Sequence, residues 1–112
     1  MKDDPRAVPI LQDILLSDTA PLYVSTITEA ELFGFPSLTE AEATMMNDLL
    51  QGVSLIPVDS HSARSAGHIR ATYRLKLADS IIAATTLFTG STLLTRNTRD
   101  FKKVPTLFVQ AL

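Results

Sequence analysis

Four short apolar runs, separated by stretches with helical spacing, constrain the fold more than any other feature of this chain. The runs are Leu22-Tyr-Val24, residues 53 to 58, Thr92-Leu-Leu-Thr95 and Leu107-Phe-Val109. They are rich in β-favouring residues and bounded by turn formers, and the first and last follow Pro21 and Pro105. The intervening stretches carry helix signals. Residues 6 to 17 place Val8, Leu11, Leu15 and Leu16 near helical spacing, with Pro5 and Pro9 tolerable only near a first turn. A helix is expected from Thr26 to Thr28 up to about Gly34 and Pro36. Thr39-Glu-Ala-Glu42 is a capping-box pattern that opens another, running to about Leu50 and stopped by Gly52. Asp59 or Ser60 can cap a polar helix over about 61 to 74, and Ser80 to Phe88 reads as a strongly apolar helix that Gly90 ends. Strands alternating with helices predict an α/β domain with a mainly parallel sheet. At 112 residues and 46% hydrophobic content, one domain over 1–112 is expected, with a real core.

Composition excludes several function classes. With no cysteine, disulfides, thiolate metal sites and cysteine catalysis are impossible within the chain. No apolar run is long enough to span a membrane, and Met1-Lys-Asp-Asp-Pro-Arg6 lacks the apolar stretch of a signal peptide, so a cytoplasmic protein is expected. No Gly-x-Gly-x-x-Gly or Walker loop is present, and Ser60, Ser62 and Ser65 are not in a nucleophile-elbow context. The net charge of −2 is not that of a typical nucleic-acid binder. The charge is uneven, however: acids dominate residues 1 to 59, while Arg64, Arg70, Arg74, Lys76, Arg96, Arg99, Lys102 and Lys103 lie in the second half. That half presents either a solvated helix face or a surface for an anionic polymer.

Three acids stand where a strand hands over to a helix: Glu31, Asp79 and Asp100. Ligand sites of parallel α/β sheets lie outside the carboxyl ends of the strands. Glu31 lies past the strand at 22–24, and Asp100 past the strand at 92–95. Asp79 opens the helix leading into that last strand, so it starts at the end where the strand finishes. Topology thus directs all three acids to one edge. Each also has a plain structural reading. Glu31 is spaced three residues after Thr28, as in a capping box; Asp79 can be an N-cap; Asp100 can be the third position of a turn capped by Asn97. Converging carboxylates with no cysteine suit Mg²⁺ or Mn²⁺ and metal-assisted phosphodiester hydrolysis. Thr95 and Asn97 can support a ligating carboxylate. His61 and His68, seven residues apart, have no third ligand at metal spacing and read as solvated or packing histidines. Met45 and Met46 read as helix core.

These segments resemble a PIN domain, and specifically the VapC-type toxins of bacterial toxin–antitoxin pairs. Ser25-Thr-Ile-Thr-Glu-Ala-Glu-Leu-Phe-Gly34 resembles the segment around the family's glutamate, which gives Glu31 that role. Asp79-Ser-Ile-Ile-Ala-Ala84 resembles the segment around a later family aspartate. Leu93-Leu-Thr-Arg-Asn-Thr-Arg-Asp-Phe101 resembles the segment near the last acidic position, matching Asn97 and Asp100. The resemblance implies a three-layer α/β/α fold and Mg²⁺- or Mn²⁺-dependent endoribonuclease activity. Glu31, Asp79 and Asp100 would be the metal-binding and catalytic residues, with Asn97 and Thr95 in support. It also implies an RNA substrate, an antitoxin partner and frequent homodimers; Arg64, Arg70, Arg74, Arg96 and Arg99 are candidates for holding RNA phosphates. The family normally opens with a central apolar strand ending in an aspartate. Asp3 and Asp4 follow no strand and do not match that motif. The expectation is therefore a PIN-like domain lacking its central first strand. The gap would be closed by the chain itself, by strand pairing across protomers, or by completion in a longer protein. Two other readings stand beside this one. The first is a non-catalytic module binding an antitoxin or homologous chain through apolar residues such as Leu15, Ile27 and Leu32. The second is an unrelated flavodoxin-like domain whose acids act only as caps.

Overall fold

The computed structural model describes residues 21–112. In chain order the elements are β1 (Tyr23–Ser25), α1 (Thr26–Phe33), α2 (Glu40–Leu50), β2 (Ser54–Ile56), α3 (Ser60–Tyr73), α4 (Leu77–Thr89), β3 (Leu93–Thr95), α5 (Thr98–Phe101) and β4 (Val109–Ala111). The predicted helix over residues 6 to 17, with Leu15, and the acids Asp3 and Asp4 lie outside the described residues.

Short polar side chains set most helix starts. Ser25 Oγ accepts the Ile27 N–H at 3.2 Å and turns β1 directly into α1. Thr39 and Glu42 form the predicted capping box: Thr39 Oγ1 accepts the Glu42 N–H at 3.1 Å and Glu42 Oε1 accepts the Thr39 N–H at 3.0 Å. Asp59 Oδ1 accepts the Ser62 N–H at 2.8 Å at the head of α3. Both capping carboxyls are held below the usual carboxylate range by hydrogen bonds, Glu42 chiefly by Thr39 and Asp59 chiefly by Ser62. Helix α4 starts at Leu77 rather than Ser80, and its N-cap, Lys76, makes no side-chain cap. Its end is marked by Gly90 in the left-handed region, with φ 63°.

Among the described residues the strands pair in parallel, as expected, but as two separate pairs. Strand β1 runs with β2, Tyr23 opposite Ser54, and β3 runs with β4, Leu93 opposite Val109. The fourth strand lies two residues later than its apolar run suggests, and Phe108 within that run is 75% exposed. The first two strands are also less buried than their composition predicts, with Tyr23 and Leu55 both exposed.

Helices α3 and α4 form the most extensively packed pair of elements, joined by a three-residue turn at Arg74, Leu75 and Lys76. The main core gathers Ala66 and Ile69 of α3, Ile81 to Ala84 of α4, and Leu93, Phe101, Val104 and Leu107 beyond it. A second cluster joins Leu32 of α1 to Met46 and Leu49 of α2. Ile27 is partly buried against the main core, and Leu32 is fully buried and offers no partner surface. Met46 is buried as expected; Met45 is 40% exposed, because it lies on the outer side of α2. No described helix is long and apolar enough to cross a membrane.

Candidate functional site

Asp79 is the third residue of α4 and is only 3% exposed, with Oδ2 sealed from solvent. It is not the N-cap; Lys76 is, so the capping reading of Asp79 gives way to a buried first-turn carboxylate. The helix N-terminus favours its negative charge. The neighbouring Ser80 hydroxyl donates to the Lys76 carbonyl at 2.8 Å, and Asp79 is the one ionisable side chain of α4.

Glu31 is half-buried at the sixth position of α1. Because Ser25 caps that helix, Thr28 lies inside it, buried, and the Thr28–Glu31 capping box does not form. Asp100 is the third residue of α5. Asn97 caps this turn: its Oδ1 accepts the Asp100 N–H at 3.5 Å and its Nδ2 donates to Asp100 Oδ2 at 2.8 Å. The Asn97 N–H in turn donates to Thr95 Oγ1 at 3.0 Å, and Thr95 is fully buried. Thr95, Asn97 and Asp100 thus form one continuous hydrogen-bonded turn off the end of β3. Lys103 adds an ion pair to Asp100 at 3.6 Å, a contact that the i,i+3 spacing of the two residues could have suggested.

Connectivity places these acids relative to the strands. Strand β1 ends at Ser25 and passes straight into the helix that carries Glu31. Strand β3 ends at Thr95, three residues before α5 begins at Thr98. Helix α4 returns through Gly90 into β3, a connectivity that directs its first turn, with Asp79, toward the end where β3 finishes. Glu31, Asp79 and Asp100 are all engaged with other groups. Among the described residues, no three His, Asp or Glu side chains stand close enough together to hold a metal ion.

The five candidate phosphate-binding arginines are all exposed. Arg70 and Arg74 lie at the end of α3 from which the chain turns into α4 and Asp79, and Arg96 and Arg99 flank Asn97 and Asp100. Arg64 lies six residues before Arg70, about 9 Å back along the helix. His61 is exposed with its ring 6.4 Å from that of Phe88, and His68 is exposed on the same helix. Both fit the packing and solvated readings.

A comparison with protein families matches residues 2–107 to the PIN domain. The chain belongs to the PIN domain family. Solved structures share its fold. VapBC from Salmonella typhimurium, bound to DNA, aligns over 95% of this chain and 89% of its own, with 20% identity and a TM-score of 0.78. VapBC2 from Rickettsia felis, bound to a promoter DNA fragment, aligns over 92% and 82%, with 20% identity and a TM-score of 0.72. A toxin–antitoxin complex from Klebsiella pneumoniae aligns over 88% and 90%, with 26% identity and a TM-score of 0.67. No curated protein matches the chain.

Proposed function

We propose that this chain is a VapC-type toxin that cleaves RNA with Mg²⁺ or Mn²⁺, in the cytoplasm, and is held in check by an antitoxin protein. The observation that carries the reading is the buried carboxylate of Asp79, which connectivity directs toward the end of β3 from which the Thr95–Asn97–Asp100 turn departs. Burying a carboxylate is costly, and a buried ionisable group of this kind is a mark of a functional site. The family match and the toxin–antitoxin complexes among the structural neighbours support the same reading.

The donors are oxygens only, which suits a hard divalent cation. Three donors do not gather among the described residues. Mg²⁺ nevertheless commonly keeps several waters and takes only one or two carboxylates, so Asp79 with Asp100 or Glu31 would suffice for that kind of coordination. When bound, the ion would lower the pKa of a water and polarise a phosphoryl oxygen. Asp79 would hold it. Glu31 and Asp100 would contribute ligands, and one of them would orient or deprotonate the attacking water. Asn97, fixed through Thr95, would hold the Asp100 carboxylate in place. Arg70, Arg74, Arg96 and Arg99 would take RNA phosphates, with Arg64 reaching a more distant one. A homodimer is proposed as the assembly, in line with the toxin family the chain resembles.

The absence of a three-donor group among the described residues favours one rival: a non-catalytic PIN-like module that binds an antitoxin or a homologous chain. Two readouts separate them. Mn²⁺ raising the melting temperature, an effect lost in Asp79→Asn, reads the site; metal-dependent RNA cleavage reads the chemistry. Partner binding without either effect would select the rival.

A further inference from the structure

Strand β4 and the residue after it touch both apolar clusters. Val109 packs against the main core, and Leu112 packs against the cluster of Leu32, Met46 and Leu49. Side chains three residues apart on an extended chain point to opposite sides, so one short segment serves both. Its backbone is tied to β3. Thr95 stands opposite Ala111, and the Leu112 N–H donates to the Thr95 carbonyl at 3.1 Å.

Thr95 is thereby engaged at two points. Its carbonyl accepts from Leu112, while its Oγ1 accepts the Asn97 N–H at 3.0 Å. Asn97 Nδ2 in turn donates to Asp100 Oδ2 at 2.8 Å. In the other direction, the side chain of Leu112 meets the cluster to which α1 contributes Leu32, the residue that follows Glu31. A continuous series of contacts therefore runs from Asp100 through Asn97, Thr95 and Leu112 to the helix that carries Glu31. Close-packed side chains transmit the displacement of a neighbour, so loosening one link is felt at both ends.

We infer that Leu112 is a positioning residue for the proposed metal site: its side chain holds the Glu31 helix in register with the turn that carries Asp100. The inference rests on the reading of those acids as metal ligands. Leu112 supplies no donor of its own and acts through Glu31. Leu38 provides the contrast. It packs against the same cluster, but its N–H donates to the Phe35 carbonyl at 3.2 Å. Truncating either leucine removes apolar contact from one cluster; of the two, Leu112 is the one bonded to β3. Ligands are held to productive geometry by the packing behind them, and losing that support weakens a metal site without removing a ligand.

The test is calorimetric titration of the full chain with Mn²⁺, without RNA, each variant's fold being checked by circular dichroism. Leu112→Ala is expected to weaken Mn²⁺ binding about tenfold. Leu112→Val, a smaller truncation, changes it in the same direction by a smaller factor, and Leu112→Met restores it toward the parent value. Leu38→Ala lowers the melting temperature yet binds Mn²⁺ as the parent does. In a Glu31→Gln background, Leu112→Ala costs little further affinity, because the residue through which it acts is already gone. If the parent binds Mn²⁺ but Leu112→Ala binds equally well, or Leu38→Ala is weakened to the same degree, or the Leu112→Ala and Glu31→Gln losses simply add, the inference is overturned and the metal site stands. No Mn²⁺ binding by the folded parent chain overturns the metal reading and the inference with it.

Discussion

Asn97 and Asp100 hold each other from both ends: the amide of Asn97 donates to Asp100 Oδ2 at 2.8 Å and accepts the Asp100 N–H at 3.5 Å. The pair fixes a proposed metal ligand relative to the end of β3. Replacing Asn97 by Ala removes the cap of α5 and the hydrogen bond to the carboxylate together. The expected loss is about 1 kcal/mol, read as a shift in urea midpoint with unchanged slope. Under the proposed function, Asn97→Ala also weakens Mn²⁺ protection against heating; equal protection in the variant would detach Asn97 from the site.

Phe101 anchors that same turn in the core, at 1% exposure. Truncation to Ala leaves a large cavity beneath α5. A loss of about 3–5 kcal/mol is expected. A change below 1 kcal/mol would mean that the α5 turn is not seated on the core as described.

Arg74 ends α3 in the left-handed region, with φ 59°. A residue with a Cβ is strained there by about 1–2 kcal/mol, whereas glycine is not. Arg74→Gly is therefore expected to stabilise the fold by roughly 0.5–1 kcal/mol, since glycine loses more backbone entropy on folding. If Arg74 also takes an RNA phosphate, the same substitution weakens RNA binding and lowers its salt dependence. Opposite signs on stability and binding would be hard to obtain from a residue with a structural role alone.

The caps give the fold a defined acid sensitivity. Glu42 and Asp59 have depressed folded-state pKa values, relative to ordinary values of 4.5 and 3.8. Their unfolded forms bind protons more readily. Their contribution is therefore fully present above about pH 4.5 and lost as pH falls through the depressed folded values. Glu42→Gln with Asp59→Asn should flatten the fall in melting temperature below pH 4.5 relative to the parent. Parallel curves would exclude these two caps as its source.

Element order was largely legible in the sequence because local signals set it: the Thr39–Glu42 box, Asp59 before Ser60, and Gly90 after Thr89 all act within a few residues. The Asn97–Asp100 turn was legible for the same reason. Boundaries shifted where local chemistry was silent. Helix α4 starts at Leu77 without a side-chain cap, and its extra turn leaves Leu77 exposed while burying Asp79, so no local signal marked that start. The apolar run 107–109 gives way to a strand at Val109–Ala111 because register against β3 is a non-local property. The split of the described strands into two pairs could not be read from runs of β-favouring residues; only the missing match to the family's first strand pointed to a gap. Nor could the burial of Asp79, which follows from the packing of α4. Topology suggested one edge for the three acids. Spacing could not say how near they stand to one another.

The most direct test of the central claim is cleavage of a mixed RNA pool by the folded chain in Mn²⁺, with a chelator and Asp79→Asn as controls. The account predicts cleavage that disappears in both controls while circular dichroism of the variant stays unchanged. Cleavage that persists in Asp79→Asn would contradict the assignment of the site, and no cleavage from the folded chain would contradict the proposed activity.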